Sequence, residues 1–231
     1  MKYAYGIALV ALCGVFAATV RAQEARTMPP RESTEWCSIT SHDASSADLP
    51  RAVVIGDSIA SRYAGAVRNG LKGKAYLSVL ATSKAVGDPA LLDEVKTILG
   101  QYTFAVVHFN IGLHGGGGSE AYRKGFPELI ATIRTHAAGA KLIWATTTPC
   151  KGEGGMTQRA REFNKIAAEF VEKEEDIAVD DLYALVMSNA DNPEVLWDGS
   201  GVHFTTEGAA LQGKHVAESI LAAMPAQPEA E

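Results

Sequence analysis

The sequence predicts a three-layer α/β/α fold built on a five-stranded parallel sheet, and two observations lead to this prediction. From Ala52 onwards, short apolar runs alternate with amphipathic segments of helical length, which is typical of a parallel sheet covered by helices on both faces. The 231 residues are 47% hydrophobic and 21% charged, a balance that excludes a mainly disordered chain. The five predicted strands are residues 52–55, 75–80, 104–109, 141–146 and 177–179.

The segments between the strands are predicted to be helices because their apolar residues recur every three to four positions. In the last of them, Ala209, Val216 and Ile220 fall near one another at helical spacing. Strands and helices together define one domain over residues 51–224, which is long enough to bury a full core. The predicted helices are residues 59–69, 91–99, 120–136, 156–173 and 205–223.

The N-terminus has the pattern of a secretory signal peptide. Lys2 precedes an apolar run over residues 4–20, and Val20-Arg21-Ala22 resembles a cleavage site, so cleavage is expected after Ala22. An uncleaved membrane anchor is the alternative. We therefore expect residues 1–22 to be removed and the product to be secreted or periplasmic, with no membrane span left after cleavage.

Two flanking segments are predicted to lie outside the compact domain. Residues 23–50 are polar and are expected to lie on its surface or to be partly disordered, and residues 225–231 are expected to be a frayed tail. Cys37 and Cys150 remain after cleavage, either as a disulfide or as buried free thiols. The net charge of −6 disfavours nucleic acid and anionic membrane surfaces as partners.

The first motif with chemical potential is Gly56-Asp57-Ser58, directly after the first predicted strand and at the start of a helix. A serine there has its hydroxyl at the carboxyl edge of the sheet, where ligands bind in such folds. Its backbone N–H lies at a helix N-terminus, where partial positive charge favours an oxyanion. An ordinary helix cap is the alternative, since Asp and Ser are both preferred there.

Two further motifs have chemical potential: one follows the third predicted strand, and the other precedes the last predicted helix. Asn110, with Gly112 and His114 close behind it, follows the third strand, and its amide can donate to developing negative charge. A turn is the alternative for this block. His203 lies on a glycine-rich loop just before the last helix and can accept the proton of a serine, unless it is a plain surface histidine.

These three blocks together resemble those of the SGNH/GDSL hydrolase superfamily, which is named for a Ser, a Gly, an Asn and a His in separate blocks. The resemblance covers about residues 52–223. Gly56-Asp57-Ser58 resembles the nucleophile block, Asn110 and Gly112 resemble the Asn block in a variant Asn-x-Gly-Leu-His form, and Val202-His203-Phe204-Thr205 resembles the final block. The resemblance implies the flavodoxin-like SGNH hydrolase fold.

The resemblance also implies ester hydrolysis without a metal or another cofactor. Ser58 would attack the acyl carbon with His203 as its base, and the Ser58 N–H and the Asn110 side chain would bind the oxyanion. The family's second block adds a backbone donor to this oxyanion hole, usually from a glycine. Ser83 is the candidate for that donor here, and Gly87 is a weaker one.

The acid that orients the histidine departs from the family pattern. The family has Asp three residues before the His, where this chain has Ser200, and Asp198 lies five residues before it. Either Asp198 loops back to His203 as the triad acid, or the acid is missing. Asp57, Gly112 and His114 are the candidate substrate-binding residues.

The sequence therefore predicts an exported serine esterase that hydrolyses small acyl esters, with O-acetyl groups on carbohydrate as one possible substrate. Two alternatives stay open. The same site could transfer the acyl group to an acceptor other than water, or the fold could be a non-catalytic binding module.

Overall fold

The computed structural model describes residues 28–225, which form a six-stranded sheet between two layers of helices. The strand order across the sheet is β1-β3-β2-β4-β5-β6. The strands are β1 (Cys37–Ser41), β2 (Arg51–Gly56), β3 (Tyr76–Thr82), β4 (Val106–Phe109), β5 (Lys141–Ala145) and β6 (Ile177–Asp180). The helices are α1 (Ser58–Leu71), α2 (Pro89–Leu99), α3 (Gly118–His136), α4 (Gly155–Val171), α5 (Leu182–Met187), α6 (Pro193–Leu196) and α7 (Thr206–Ala223).

The α/β/α architecture and the five parallel strands are confirmed, but the predicted strand count is one too low. β1 pairs antiparallel with β3 at the edge of the sheet and comes from the polar segment of residues 23–50. Its sequence, CSITS, has one large apolar residue, Ile39, and its burial pattern is mostly exposed. An edge strand that buries so little carries no apolar run, so its pattern resembled that of a loop.

The linker after β1 is held against the domain by Arg51, which is buried. Its guanidinium donates to the carbonyl oxygens of His42 at 2.7 Å and Asp43 at 2.9 Å. The same guanidinium lies 4.3 Å from the ring centroid of Tyr102, within the range of a cation–π contact. The predicted signal peptide, residues 23–27 of the polar segment, and residues 226–231 of the predicted tail lie outside the described residues.

The two faces of β2 belong to separate apolar layers, because successive side chains of a strand point to opposite faces. Ala52 and Val54 pack with buried residues of α1 and α7. Val53 and Ile55 pack with those of α2, α3 and α4. This central strand is therefore buried on both sides, which fixes the position of the helix that follows it.

Helices α1 and α7 pack so closely that Gly213 of α7 has no room for a side chain. A Cβ at this position would lie 2.6 Å from the carbonyl oxygen of Tyr63 in α1. The start of α1 and the loop before α7 are consequently held side by side. Among residues 28–225, none of the helices combines the length and apolar composition needed to cross a bilayer.

Candidate active site

Ser58 is the first residue of α1, directly after the end of β2. The preceding residue, Asp57, caps the helix, because its carboxylate accepts a hydrogen bond from the Ile59 N–H at 2.9 Å. Asp57 is 3% exposed, and burial raises the pKa of its carboxyl group although this hydrogen bond works against the rise. The structure therefore shows Asp57 as a buried cap of α1, and its substrate-binding role stays a prediction.

His203 lies beside Ser58, although the two residues are far apart in the sequence. Its ring Nε2 is 2.9 Å from the Ser58 Oγ, which is a hydrogen-bonding distance. The loop that carries His203 is closed by a bridge between Trp197 and Phe204, and the Trp197 indole donates to the Pro149 carbonyl. The predicted nucleophile and base are thus brought into contact.

Asp198 and His203 are both described, yet no hydrogen bond joins the Asp198 carboxylate to the His203 ring. The Ser200 hydroxyl lies between them, 2.5 Å from Asp198 Oδ1 and 3.5 Å from His203 Nδ1. The Asp198 carboxylate also accepts from the Ser200 backbone N–H at 2.9 Å and pairs through Oδ2 with Arg62 at 3.1 Å. An Asx turn directs the Asp198 carboxylate to Ser200, so the structure does not place it in direct contact with the His203 ring.

Asn110 follows β4, and its backbone N–H donates to Ile55 near the end of β2 at 2.9 Å. Its side-chain amide donates to the Thr146 carbonyl at 2.8 Å. An amide NH₂ group has two hydrogens, so this bond orients the group and leaves one hydrogen for another acceptor. Gly112 packs against Thr147, whose Oγ1 would lie 1.8 Å from a Cβ at this position, so this glycine shapes the block.

Ser83 is held by the N-terminal segment. Its backbone N–H donates to the Trp36 carbonyl at 3.0 Å, and its hydroxyl donates to Glu35 at 2.9 Å. The N–H that was predicted to bind an oxyanion is therefore engaged elsewhere, and the structure does not supply Ser83 as that donor. Gly87, the weaker candidate, packs against α3, where a Cβ would lie 2.8 Å from the Ala121 carbonyl oxygen.

The N-terminal segment also reaches the block after β4. His114 Nδ1 lies 2.8 Å from Glu32 Oε1, and the His114 ring meets Trp36 edge-on with centroids 6.4 Å apart. His114 has 15% of its side chain exposed.

Glu35 links the N-terminal segment to the loop after β3 through a 2.5 Å ion pair with Lys84. Partial burial works to raise the pKa of Glu35, but hydrogen bonds from Lys84 and Ser83 outweigh burial and the pKa lies below its usual range.

Sequence reasoning missed the roles of Arg62 and Ser200. Arg62 lies one helical turn after Ser58, so both face the histidine loop, and it donates to the Phe204 carbonyl at 3.3 Å. That i, i+4 spacing was the signal for Arg62. For Ser200, the signal was its place three residues before the histidine, where a residue can reach the ring.

The cysteines and acidic groups form no further centre in the described chain. Cys37 and Cys150 are both free thiols, so they form no disulfide, but only Cys150 is buried as the free-thiol alternative expected, because Cys37 lies on the exposed edge strand β1. Burial raises the pKa of the Cys150 thiol. Within residues 28–225, no group of three or more His, Cys, Asp or Glu side chains is arranged to hold a metal ion.

Comparison with known proteins gives a family match over most of the chain. Residues 38–211 match the GDSL-like Lipase/Acylhydrolase family. A comparison with curated proteins gives no match.

Solved structures with a similar fold come from several organisms. The lipase/acylhydrolase from Enterococcus faecalis is 17% identical with a TM-score of 0.61, and the match covers 78% of this chain and 100% of that one. The C-terminal catalytic domain of peptidoglycan O-acetyltransferase A from Streptococcus pneumoniae is 22% identical with a TM-score of 0.54, covering 76% and 94%. A carbohydrate esterase family 3 protein from Talaromyces cellulolyticus is 11% identical with a TM-score of 0.59, covering 75% and 97%. At such low identity these likenesses establish a shared fold.

Proposed function

The chain belongs to the GDSL-like lipase/acylhydrolase family, and we propose that it is a serine esterase with Ser58 as nucleophile and His203 as general base. The observation that carries the proposal is the 2.9 Å contact between Ser58 Oγ and His203 Nε2 at the carboxyl edge of the sheet. A serine hydroxyl is a weak nucleophile until an adjacent base takes its proton. This contact supplies the base at the distance that proton transfer requires.

The first half of the reaction forms an acyl-enzyme. Ser58 Oγ bonds to the acyl carbon while its proton moves to His203 Nε2, and the carbonyl π electrons move onto the carbonyl oxygen. When this tetrahedral intermediate collapses, the ester C–O bond breaks. The alcohol then leaves with the proton that His203 held.

The negative oxygen of the intermediate is bound by two donors in this proposal. One is the Ser58 backbone N–H, which at the first position of α1 has no helical carbonyl partner. The other is the second hydrogen of the Asn110 side-chain amide, which its bond to Thr146 holds in place. Both donors are positioned before the charge develops, so their orientation costs little when it appears.

Water completes the cycle by attacking the acyl carbon as His203 takes its proton. The bond between the acyl carbon and Ser58 Oγ then breaks as His203 passes that proton to Oγ, which releases the acid and restores Ser58. A sugar hydroxyl in place of water would give acyl transfer from the same site. The O-acetyltransferase and the carbohydrate esterase among the structural relatives support testing acetylated carbohydrate as the substrate. Product analysis with and without an added sugar acceptor separates hydrolysis from transfer.

We also propose that the protein is exported, with cleavage after Ala22. The apolar run at residues 4–20 and the site that follows it support this proposal. Mass spectrometry of the protein recovered outside the cytoplasm checks it, because a cleaved product would begin at Gln23.

The kinetic test compares wild type with Ser58→Ala on p-nitrophenyl acetate. Without the nucleophile, we expect the rate to fall by at least about 10²-fold. Ser61→Ala is the matched control, because it removes an exposed hydroxyl from the same helix. Equal hydrolysis by Ser58→Ala and wild type would remove Ser58 from the mechanism, and a wild-type protein without esterase activity would favour the binding module.

A further inference from the structure

Ser200 closes a continuous chain of side chains that ends at the nucleophile. Its Oγ lies 2.5 Å from Asp198 Oδ1 and 3.5 Å from His203 Nδ1, and His203 Nε2 lies 2.9 Å from Ser58 Oγ. The Asp198 carboxylate is fixed at its far end by Arg62, 3.1 Å from Oδ2. The order along the chain is therefore carboxylate, hydroxyl, imidazole, hydroxyl.

The ionisation of Asp198 determines where the Ser200 hydrogen points. Hydrogen bonding from the Ser200 hydroxyl, helped by the Ser200 N–H and by Arg62, holds the pKa of Asp198 below its usual range. At neutral pH the carboxylate therefore has no hydrogen to donate, and the short Asp198–Ser200 bond must use the hydroxyl hydrogen. This hydrogen points to Asp198, so the electron-rich side of Ser200 Oγ faces three neighbours that share its two lone pairs: the backbone N–H groups of Val202 and His203, both at 3.2 Å, and His203 Nδ1 at 3.5 Å.

The lone pairs of Ser200 in turn determine the tautomer of His203. A lone pair on Oγ attracts a ring N–H and repels a bare ring nitrogen, so Nδ1 is the nitrogen that carries the hydrogen. Nε2 is then unprotonated and accepts the hydrogen bond from Ser58. This is the tautomer that a general base requires.

We propose that Ser200 is a positioning residue that transmits the negative charge of Asp198 to His203, in place of direct contact between a carboxylate and the imidazole. The proposal rests on the esterase mechanism above. When Nε2 takes the Ser58 proton, the ring becomes cationic and its Nδ1–H bonds more strongly to the polarised Ser200 oxygen. The 3.5 Å separation belongs to the resting enzyme, and such contacts tighten in the transition state.

Ser200 also has a local role, because its Oγ accepts from two backbone N–H groups of the loop. The test must therefore separate charge transmission from loop folding. Ser200→Thr keeps the hydroxyl, and Ser200→Ala removes it. The other charged groups around His203 are Asp57 below Ser58 and Arg62 on α1, and both stay in every variant.

The experiment measures kcat, KM and the pH profile of p-nitrophenyl acetate hydrolysis for Ser200→Ala, Asp198→Asn and the double variant. Each single change should lower kcat by about 10- to 100-fold with little change in KM. The acidic limb of kcat/KM should move to lower pH in both, because the imidazolium loses its stabilising partner. The kcat of the double variant should be no lower than that of the slower single variant, since both changes break the same series of contacts from Asp198 to His203.

Two further variants complete the test. Ser200→Thr should keep kcat within about threefold of wild type. Ser188→Ala, which removes an exposed hydroxyl bonded to the Leu185 carbonyl, should match wild type.

An unchanged kcat and an unmoved acidic limb in Ser200→Ala would overturn the proposal. A loss of activity that leaves the acidic limb of kcat/KM in place and is not rescued by Ser200→Thr would assign Ser200 to loop folding alone.

¹⁵N NMR of His203 tests the role of Ser200 in setting the tautomer without turnover. The Nδ1–H tautomer should dominate in wild type and lose its dominance in Ser200→Ala, whereas a wild-type protein with this tautomer but no Ser58-dependent hydrolysis would overturn only the esterase proposal.

Discussion

The Ser58 hydroxyl has a single hydrogen, and the groups around it decide whether that hydrogen can leave. His203 Nε2 at 2.9 Å is its acceptor. The backbone N–H of Ser58 points from the start of α1, where helical N–H groups lack carbonyl partners. In the proposed mechanism, one residue thus provides both the attacking oxygen and a donor for the oxyanion that the attack creates.

The side chain of Asn110 can be tested by removing its amide. Asn110→Ala removes the proposed side-chain donor to the oxyanion but leaves Ser58 and His203 in contact, so kcat on p-nitrophenyl acetate should fall by about 10²- to 10³-fold with a smaller change in KM. Asn189→Ala is the control, because its exposed amide donates to the Leu185 carbonyl and the Ser188 hydroxyl at the end of α5. Near-normal kcat in Asn110→Ala would show that the oxyanion binds elsewhere.

At this scale, sequence patterns identify residues whose role depends on a local motif. Ser58, Asn110 and His203 each stand at a strand end or a helix start, and the topology brings those positions to one edge of the sheet. Ser83 could not be judged in the same way, because its N–H is bonded to Trp36. That contact comes from a segment 47 residues earlier, and no local pattern announces it.

Helices α1 and α7 are the elements that hold Ser58 and His203 beside each other. The first begins at Ser58, and the second begins three residues after His203. Their close contact at Gly213 transmits any change in helix spacing to both residues. A side chain at position 213 is therefore a test of how strictly activity depends on this packing.

Gly213→Ala should destabilise the protein by about 1–3 kcal/mol, because the new Cβ would lie 2.6 Å from the Tyr63 carbonyl oxygen and 3.1 Å from the Val67 nitrogen. Esterase activity should fall with it. Gly65→Ala is the matched control on α1, because a Cβ there meets nothing within 4 Å. That change should stabilise the helix by about 0.5–1 kcal/mol.

Denaturant unfolding and kcat of both variants check this prediction. Equal stability of Gly213→Ala and Gly65→Ala would contradict the close packing of α1 and α7.

The five parallel strands could be predicted because each carries a short apolar run, and the five long helices because each buries an apolar face that leaves a periodic pattern. β1, α5 and α6 were missed for the opposite reason. β1 is polar at the sheet edge, and α5 and α6 have only six and four residues, which is too short for helical periodicity to emerge.

Across the whole molecule, the chain before β2 completes the domain instead of lying loosely on it. Arg31 pairs with Asp88 at the start of α2, Glu35 pairs with Lys84, and β1 extends the sheet beside β3. These links join the N-terminal segment to the loop after β3 and, through Glu32, to His114 after β4. Residues that precede the first parallel strand therefore pack against the loops after β3 and β4.

The proposed mechanism requires a reactive serine at position 58 that is activated by the distant His203. A fluorophosphonate probe followed by peptide mass spectrometry tests this most directly. We predict one adduct, on Ser58, formed at least about 10²-fold more slowly in His203→Ala. An unmodified Ser58 in the folded wild-type protein, or equal labelling with and without the imidazole, would contradict it.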